Sequence, residues 1–121
     1  FAKTHSPNSI TGTISQLPNV QALIGEIDLQ LSKARFVLYG VAEAYDDAGR
    51  RAHLTTELNV AKHIVSNAAI TIVDKAMRIV GAKSLQQTCP LQRYYRDVRA
   101  GLHNPPMDEI TIQKLAQQAL K

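Results

Sequence analysis

The chain has 121 residues, 45% of them hydrophobic and 5% aromatic, with no Trp, one Cys and a formal charge of +4. That length suits one domain with an aliphatic core, and no apolar run reaches the eighteen residues that would signal a membrane span. A lone Cys89 rules out an internal disulfide framework and suggests a reducing, cytoplasmic setting.

Residues 1–16, rich in Ser, Thr, Asn and Gly, read as an extended lead-in, and residues 17–121 as the folded domain. Pro18 suits a first helical turn. From there Val20, Ile24, Ile27, Leu31, Ala34, Leu38, Val41 and Tyr45 alternate spacings of four and three, which places all eight on one face of a long helix. Leu23 and Val37 widen the stripe, and Gly49 supplies its break. A second long helix starts near Leu54 with the stripe Leu58, Ala61, Val65, Ala68, Ile72, Ala76 and Ile79. Ile64, Val73, Met77 and Val80 extend it to a second face, and Gly81 ends it.

Ser84–Cys89 reads as a loop. Pro90 opens a short third helix carrying Leu91, Tyr94, Tyr95 and Val98, which Gly101 stops. Asn104 has the character of an N-cap for a fourth helix, with Pro105 and Pro106 at its first positions and Asp108 and Glu109 in its first turn. No strand pattern of comparable length occurs. The expected fold is all-α, an up-down four-helix bundle of two long and two shorter helices.

The chemistry available to such a chain is limited. Neither His53 nor His63 has a Glu three residues before it, so the Glu-x-x-His pairs of di-iron bundles are missing and no metal site is expected. Cys89 beside Pro90 has no base or resolving partner in the sequence and reads as structural. The positive charge is spread along the chain without a nucleic-acid-binding motif, so no nucleic-acid partner is expected. Arg93, Arg96 and Arg99 share a helix flank with Asp97 near them. They form either a solvated face or a site for phosphate or carboxylate, which guanidinium forks recognise. The turn after Arg78, at Gly81-Ala82, would let backbone N–H groups approach a phosphate.

Several segments together resemble the C-terminal helical domain of the acyl-CoA dehydrogenases and their flavin monooxygenase relatives. That family ends a long helix with Gln-Ile-x-Gly-Gly-x-Gly. A proline-started helix with Arg-Asp-x-Lys/Arg follows about ten residues on. Arg78-Ile79-Val80-Gly81 and Pro90-Leu91-Gln92-Arg93-Tyr94-Tyr95-Arg96-Asp97-Val98-Arg99 are similar to these at gapless spacing. Ala61-Lys62, Ala34-Arg35, Asp47-Ala48-Gly49-Arg50 and Phe1-Ala2-Lys3 extend the likeness over the whole chain. The opening Phe1 then fits a piece of a longer flavoenzyme.

The resemblance implies FAD, with FMN as the alternative, and a homotetramer whose core this domain forms. It also implies acyl-CoA or another small-molecule substrate bound with domains outside this chain. Its turn would reach the pyrophosphate of a neighbouring subunit's flavin, with Arg78 in place of the glutamine, Gly81 at the first glycine, and Ala82 and Ser84 replacing the other two. The catalytic Glu-Gly-Thr that many members carry before the last helix is replaced by Pro105-Pro106-Met107. Proline takes up no proton, so the base lies upstream of Phe1 or the chemistry differs. In the monooxygenase branch a loop histidine faces the flavin, as His103 would here; its bland alternative is a histidine bonded to nearby backbone. A piece of this kind is expected to be inactive by itself. A helical interaction module without flavin is the non-enzymatic reading.

Overall fold

The structure is a computed structural model that describes Phe1–Lys121. It is all-α. Two long helices, α1 (Pro18–Asp46) and α3 (Thr55–Val80), are joined through a single turn, α2 (Ala48–Arg51), and followed by α4 (Leu91–Asp97) and α5 (Asp108–Ala119). Three short 3-10 turns, at 14–16, 81–85 and 98–102, complete the regular structure.

α3 is the hub. α1 packs along it, and α4, α5 and the turn at 98–102 pack on it, while α1, α4 and α5 make little contact with one another. The expected second apolar face of α3 is therefore used: from Asn59 to Met77 no residue is exposed. Ala61 and Ala68 are its most buried positions, and their small side chains permit close helix approach.

α1 is one-sided. Val20, Ala34 and Ala44 are buried, with Leu23, Ile27, Leu31, Val37 and Val41 half-buried between them. The contact face is thus turned relative to the stripe expected from periodicity, because Leu23, Val37 and Ala44 face α3 while Ile24, Leu38 and Tyr45 remain more than 40% exposed. The opposite side of α1 carries Leu29, Phe36 and Tyr39 at 65%, 82% and 64% exposure.

Three boundaries differ from those read in the sequence. α1 ends at Asp46, and Gly49 lies inside α2, whose first turn is capped by Asp47 Oδ1 accepting from the Gly49 N–H at 2.9 Å. Gly101 does not stop the helical path, which continues as a 3-10 turn to Leu102. Asn104 is not an N-cap. α5 starts at Asp108, with Met107 before it, because Asn104 and Pro105 each precede a proline and are pushed out of the helical region. Asp108 and Glu109 do occupy the first turn, as expected. The lead-in is also less extended than its composition suggests, since it turns on itself and buries Ile14.

The accessible surface is 8469 Å². A monomeric folded protein of 13.3 kDa exposes about 6,450 Å², so this chain carries about 2,000 Å² more than a self-sufficient domain of its size. Only nine residues are buried.

Candidate functional site

The first candidate lies where α3 ends. Gly81 stands at φ 76°, ψ −153°, a conformation open essentially only to glycine. It throws the chain off the helix axis into the 81–85 turn, where Ser84 Oγ donates to the Gly81 carbonyl at 2.7 Å. An open groove of about 550 Å³ follows. Arg78, Gly81 and Ala82 line it from one side, and Gln92, Tyr95 and Arg96 of α4 from the other. The three residues assigned to the cofactor in the sequence therefore share one surface.

Arg78 donates through Nε to Asp74 Oδ2 at 2.9 Å, one helical turn back. Its side chain is 68% exposed, and no hydrogen bond engages its two terminal nitrogens. A planar guanidinium with both terminal nitrogens free at a helix end is suited to a diphosphate or carboxylate. Arg96 faces the same groove and donates to Gln92 Oε1. Arg93 and Arg99 do not join it. Arg99 lies 3.5 Å over the Tyr95 ring and bonds the Tyr95 carbonyl, and Arg93 leans on Tyr94. The arginine triplet of the sequence is thus divided, and one member of it faces the groove.

The second candidate is the loop around His103. The imidazole is exposed, and only the His103 backbone N–H is bonded, to the Ala100 carbonyl. Around it the loop is firmly held. Lys62 Nζ donates to the carbonyls of Gly101, Asn104 and Pro106 at 2.6, 2.9 and 2.9 Å. An ammonium has three donors, so all of them are used, and hydrogen bonds from a charged donor contribute about 1.5–3 kcal/mol each before solvent screening. Gly101 lets the loop come this close: a Cβ there would stand 3.1 Å from Ser66 Oγ.

A few residues on, Asn67 Nδ2 donates to Asp108 Oδ2 at 3.0 Å, and His63 Nε2 lies 3.8 Å from the same oxygen. Asp108 Oδ1 and Thr111 Oγ1 are buried beside them without a partner. His63 is therefore a half-buried packing residue against α5.

Arg78 and His103 do not form one pocket. Lys62, which carries the His103 loop, and Arg78 are sixteen residues apart on α3, about 24 Å at the helical rise. The part of Lys62 was not visible in the sequence beyond the Ala61-Lys62 pair, because its three partners are backbone carbonyls 39 to 44 residues away.

An all-helical chain with a glycine-dependent, arginine-flanked turn thus exposes more surface than a folded monomer of its size ordinarily does. Residues 2–120 match the family model described as "Acyl-CoA dehydrogenase, C-terminal domain", and the chain belongs to that family. It is 62% identical over its full length to the Bacillus subtilis protein named "Putative acyl-CoA dehydrogenase YdbM", of which it covers 32%. It is 30% identical over 76% of its length to the mouse mitochondrial short-chain specific acyl-CoA dehydrogenase, covering 22% of that protein. Over 62% of its length it is also 37% identical to L-evernosamine nitrososynthase of a Micromonospora strain, covering 18% of it. The chain thus spans about a fifth to a third of these relatives. No helix is long and apolar enough to cross a membrane.

Proposed function

We propose that this chain is the C-terminal helical part of a cytoplasmic, flavin-dependent, acyl-CoA dehydrogenase-like oxidoreductase. Arg78, Gly81 and Ala82 contact FAD, the two long and two shorter helices make an up-down four-helix bundle, and the domain assembles into a homotetramer in the full-length protein. The observation that carries this reading is the groove at the end of α3. There a glycine-only turn lies between two guanidinium groups, one with both terminal nitrogens uncommitted. Family membership over residues 2–120 supports a flavin as the ligand of that groove. The roughly 2,000 Å² of surplus surface is comparable with a complete protein–protein interface, which supports assembly.

A second reading is oxidation by reduced flavin and oxygen. It is favoured by Pro105 at the place of the family's carboxylate base, by the exposed, uncommitted imidazole of His103 in the same loop, and by the likeness to a protein named as a nitrososynthase. Imidazole is suited to proton transfer near neutral pH. The test uses the full-length protein. Co-purified flavin that an acyl-CoA bleaches under anaerobic conditions supports dehydrogenation. Flavin that no acyl-CoA bleaches, with substrate oxidised only when reductant and oxygen are supplied, supports the second reading. A colourless, flavin-free protein overturns both in favour of a helical interaction module. The 121-residue chain alone is expected to retain no stoichiometric FAD and to show no turnover.

A further inference from the structure

Lys62 lies on α3 in the half-buried zone, and its long side chain reaches across to the segment before α5. Ammonium groups at helix surfaces ordinarily stay in water. Here the three N–H donors go to three carbonyls of one six-residue stretch, at Gly101, Asn104 and Pro106. Those carbonyls flank His103 on both sides and come from a stretch with no regular ladder of its own beyond residue 102. Pro105 and Pro106 have no N–H to donate, so the loop has little means of closing on itself. Its attachment to the hub helix is made by Lys62, by the close approach of Gly101 to Ser66, and by Asn67 holding Asp108 just past the loop.

We propose that Lys62 is a positioning residue: by gathering the Gly101, Asn104 and Pro106 carbonyls onto one ammonium, it fixes where the His103 imidazole stands. The point charge of a lysine suits this task. Three acceptors arranged around one nitrogen match a tetrahedral ammonium, whereas a planar guanidinium presents its donors as a fork. The part assigned to His103 rests on the functional reading above, whereas the anchoring of the loop does not.

The experiment uses the full-length protein with Lys62→Met, which keeps an unbranched stem and removes the ammonium, and Lys62→Arg, which keeps charge and donors. Deuterium exchange of peptides covering residues 99–107 is compared with that of α1. Flavin content, kcat and KM are measured beside it, and His103→Asn is made alone and in the Lys62→Met background. Lys62→Met is expected to accelerate exchange in 99–107 at least tenfold with α1 unchanged. It should also lower kcat at least tenfold with KM within threefold and full flavin content, with Lys62→Arg intermediate. The double variant should turn over no more slowly than His103→Asn alone, since the lysine acts through the histidine.

Unchanged exchange in 99–107 overturns the proposal, as does a loosened loop with intact kcat where His103→Asn alone lowers kcat, or a double variant whose losses multiply. If His103→Asn alone leaves kcat intact, the functional reading of His103 falls and the exchange result decides the anchoring. If the parent protein shows neither flavin nor turnover, the functional reading falls on its own, and the exchange result still decides the anchoring. If Lys62→Met does not fold, Lys62→Arg with its threefold or greater change in loop exchange serves in its place, and parental exchange and kcat in that variant overturn the proposal.

Discussion

The two candidate regions on α3 are built on opposite principles. At its carboxyl end, the turn after Arg78 gets its shape from one glycine, and its charge is held by an exposed i, i+4 pair with Asp74. In its middle, three charge-assisted bonds from Lys62 bind a loop that is almost irregular. The first region is open, and its guanidinium can turn to a ligand at little cost. The second is pre-set, and what it presents is one unbonded imidazole. A turn that must accept an anion from another surface benefits from the first design, and a group that must stand in a fixed place benefits from the second.

Charge at the open end is expected to matter more than any other single change. Arg78→Glu in the full-length protein is expected to abolish flavin retention, by more than tenfold, because a carboxylate then stands beside Asp74 and faces a phosphate. Arg78→Gln, the residue usual in the family, should retain flavin. Equal flavin content in parent and both variants would remove the contact altogether. At the pre-set end, His103→Asn should lower turnover at least tenfold with folding and flavin content unchanged. Turnover within threefold of the parent would make His103 an ordinary loop residue.

The contrast also explains what could be read from the sequence. Helix periodicity made α1, α3 and the all-α class legible, since burial against a neighbour repeats every three or four residues. It missed which edge of the α1 stripe is used, because Ile24 and Leu38 are as apolar as Leu23 and Val37 and only the partner helix distinguishes them. Arg78 and Gly81 were legible as a turn with a charge. Placing Asn104 as a cap failed where two local rules competed: Asx capping lost to the backbone restriction that consecutive prolines impose on the residues before them. The carbonyl partners of Lys62 could not be foreseen at all, since a backbone oxygen carries no residue identity.

A smaller effect is expected from Gly81→Ala. The Cβ would meet nothing within 4 Å, so the cost is the backbone conformation alone, on the order of 1–3 kcal/mol. The variant should melt several degrees lower and lose flavin in proportion to how far the 81–85 turn relaxes. An unshifted melting temperature would mean that the turn adopts another conformation in the assembled protein. At the pre-set end, where the glycine is needed for proximity instead, Gly101→Ala should act through Ser66 and leave flavin content alone.

The smallest effect, and the one that separates the two designs most finely, belongs to Asp74→Asn. The Asp74–Arg78 pair is exposed, with side chains 45% and 68% accessible, and such i, i+4 pairs stabilise a helix by about 0.2–0.5 kcal/mol and less in salt. The melting temperature should therefore barely change. What should change is ligand affinity: with its carboxylate neighbour neutralised, Arg78 no longer divides its charge between Asp74 and a phosphate, and flavin should bind as tightly as in the parent or up to a few-fold more tightly. That gain should shrink as ionic strength rises, because both the lost competition and the new attraction are screened over about 10 Å at 0.1 M salt. A fall in affinity of more than threefold would show that Asp74 aims Arg78 and does not compete for it. The open end would then be pre-set too, in the way that Lys62 sets its loop.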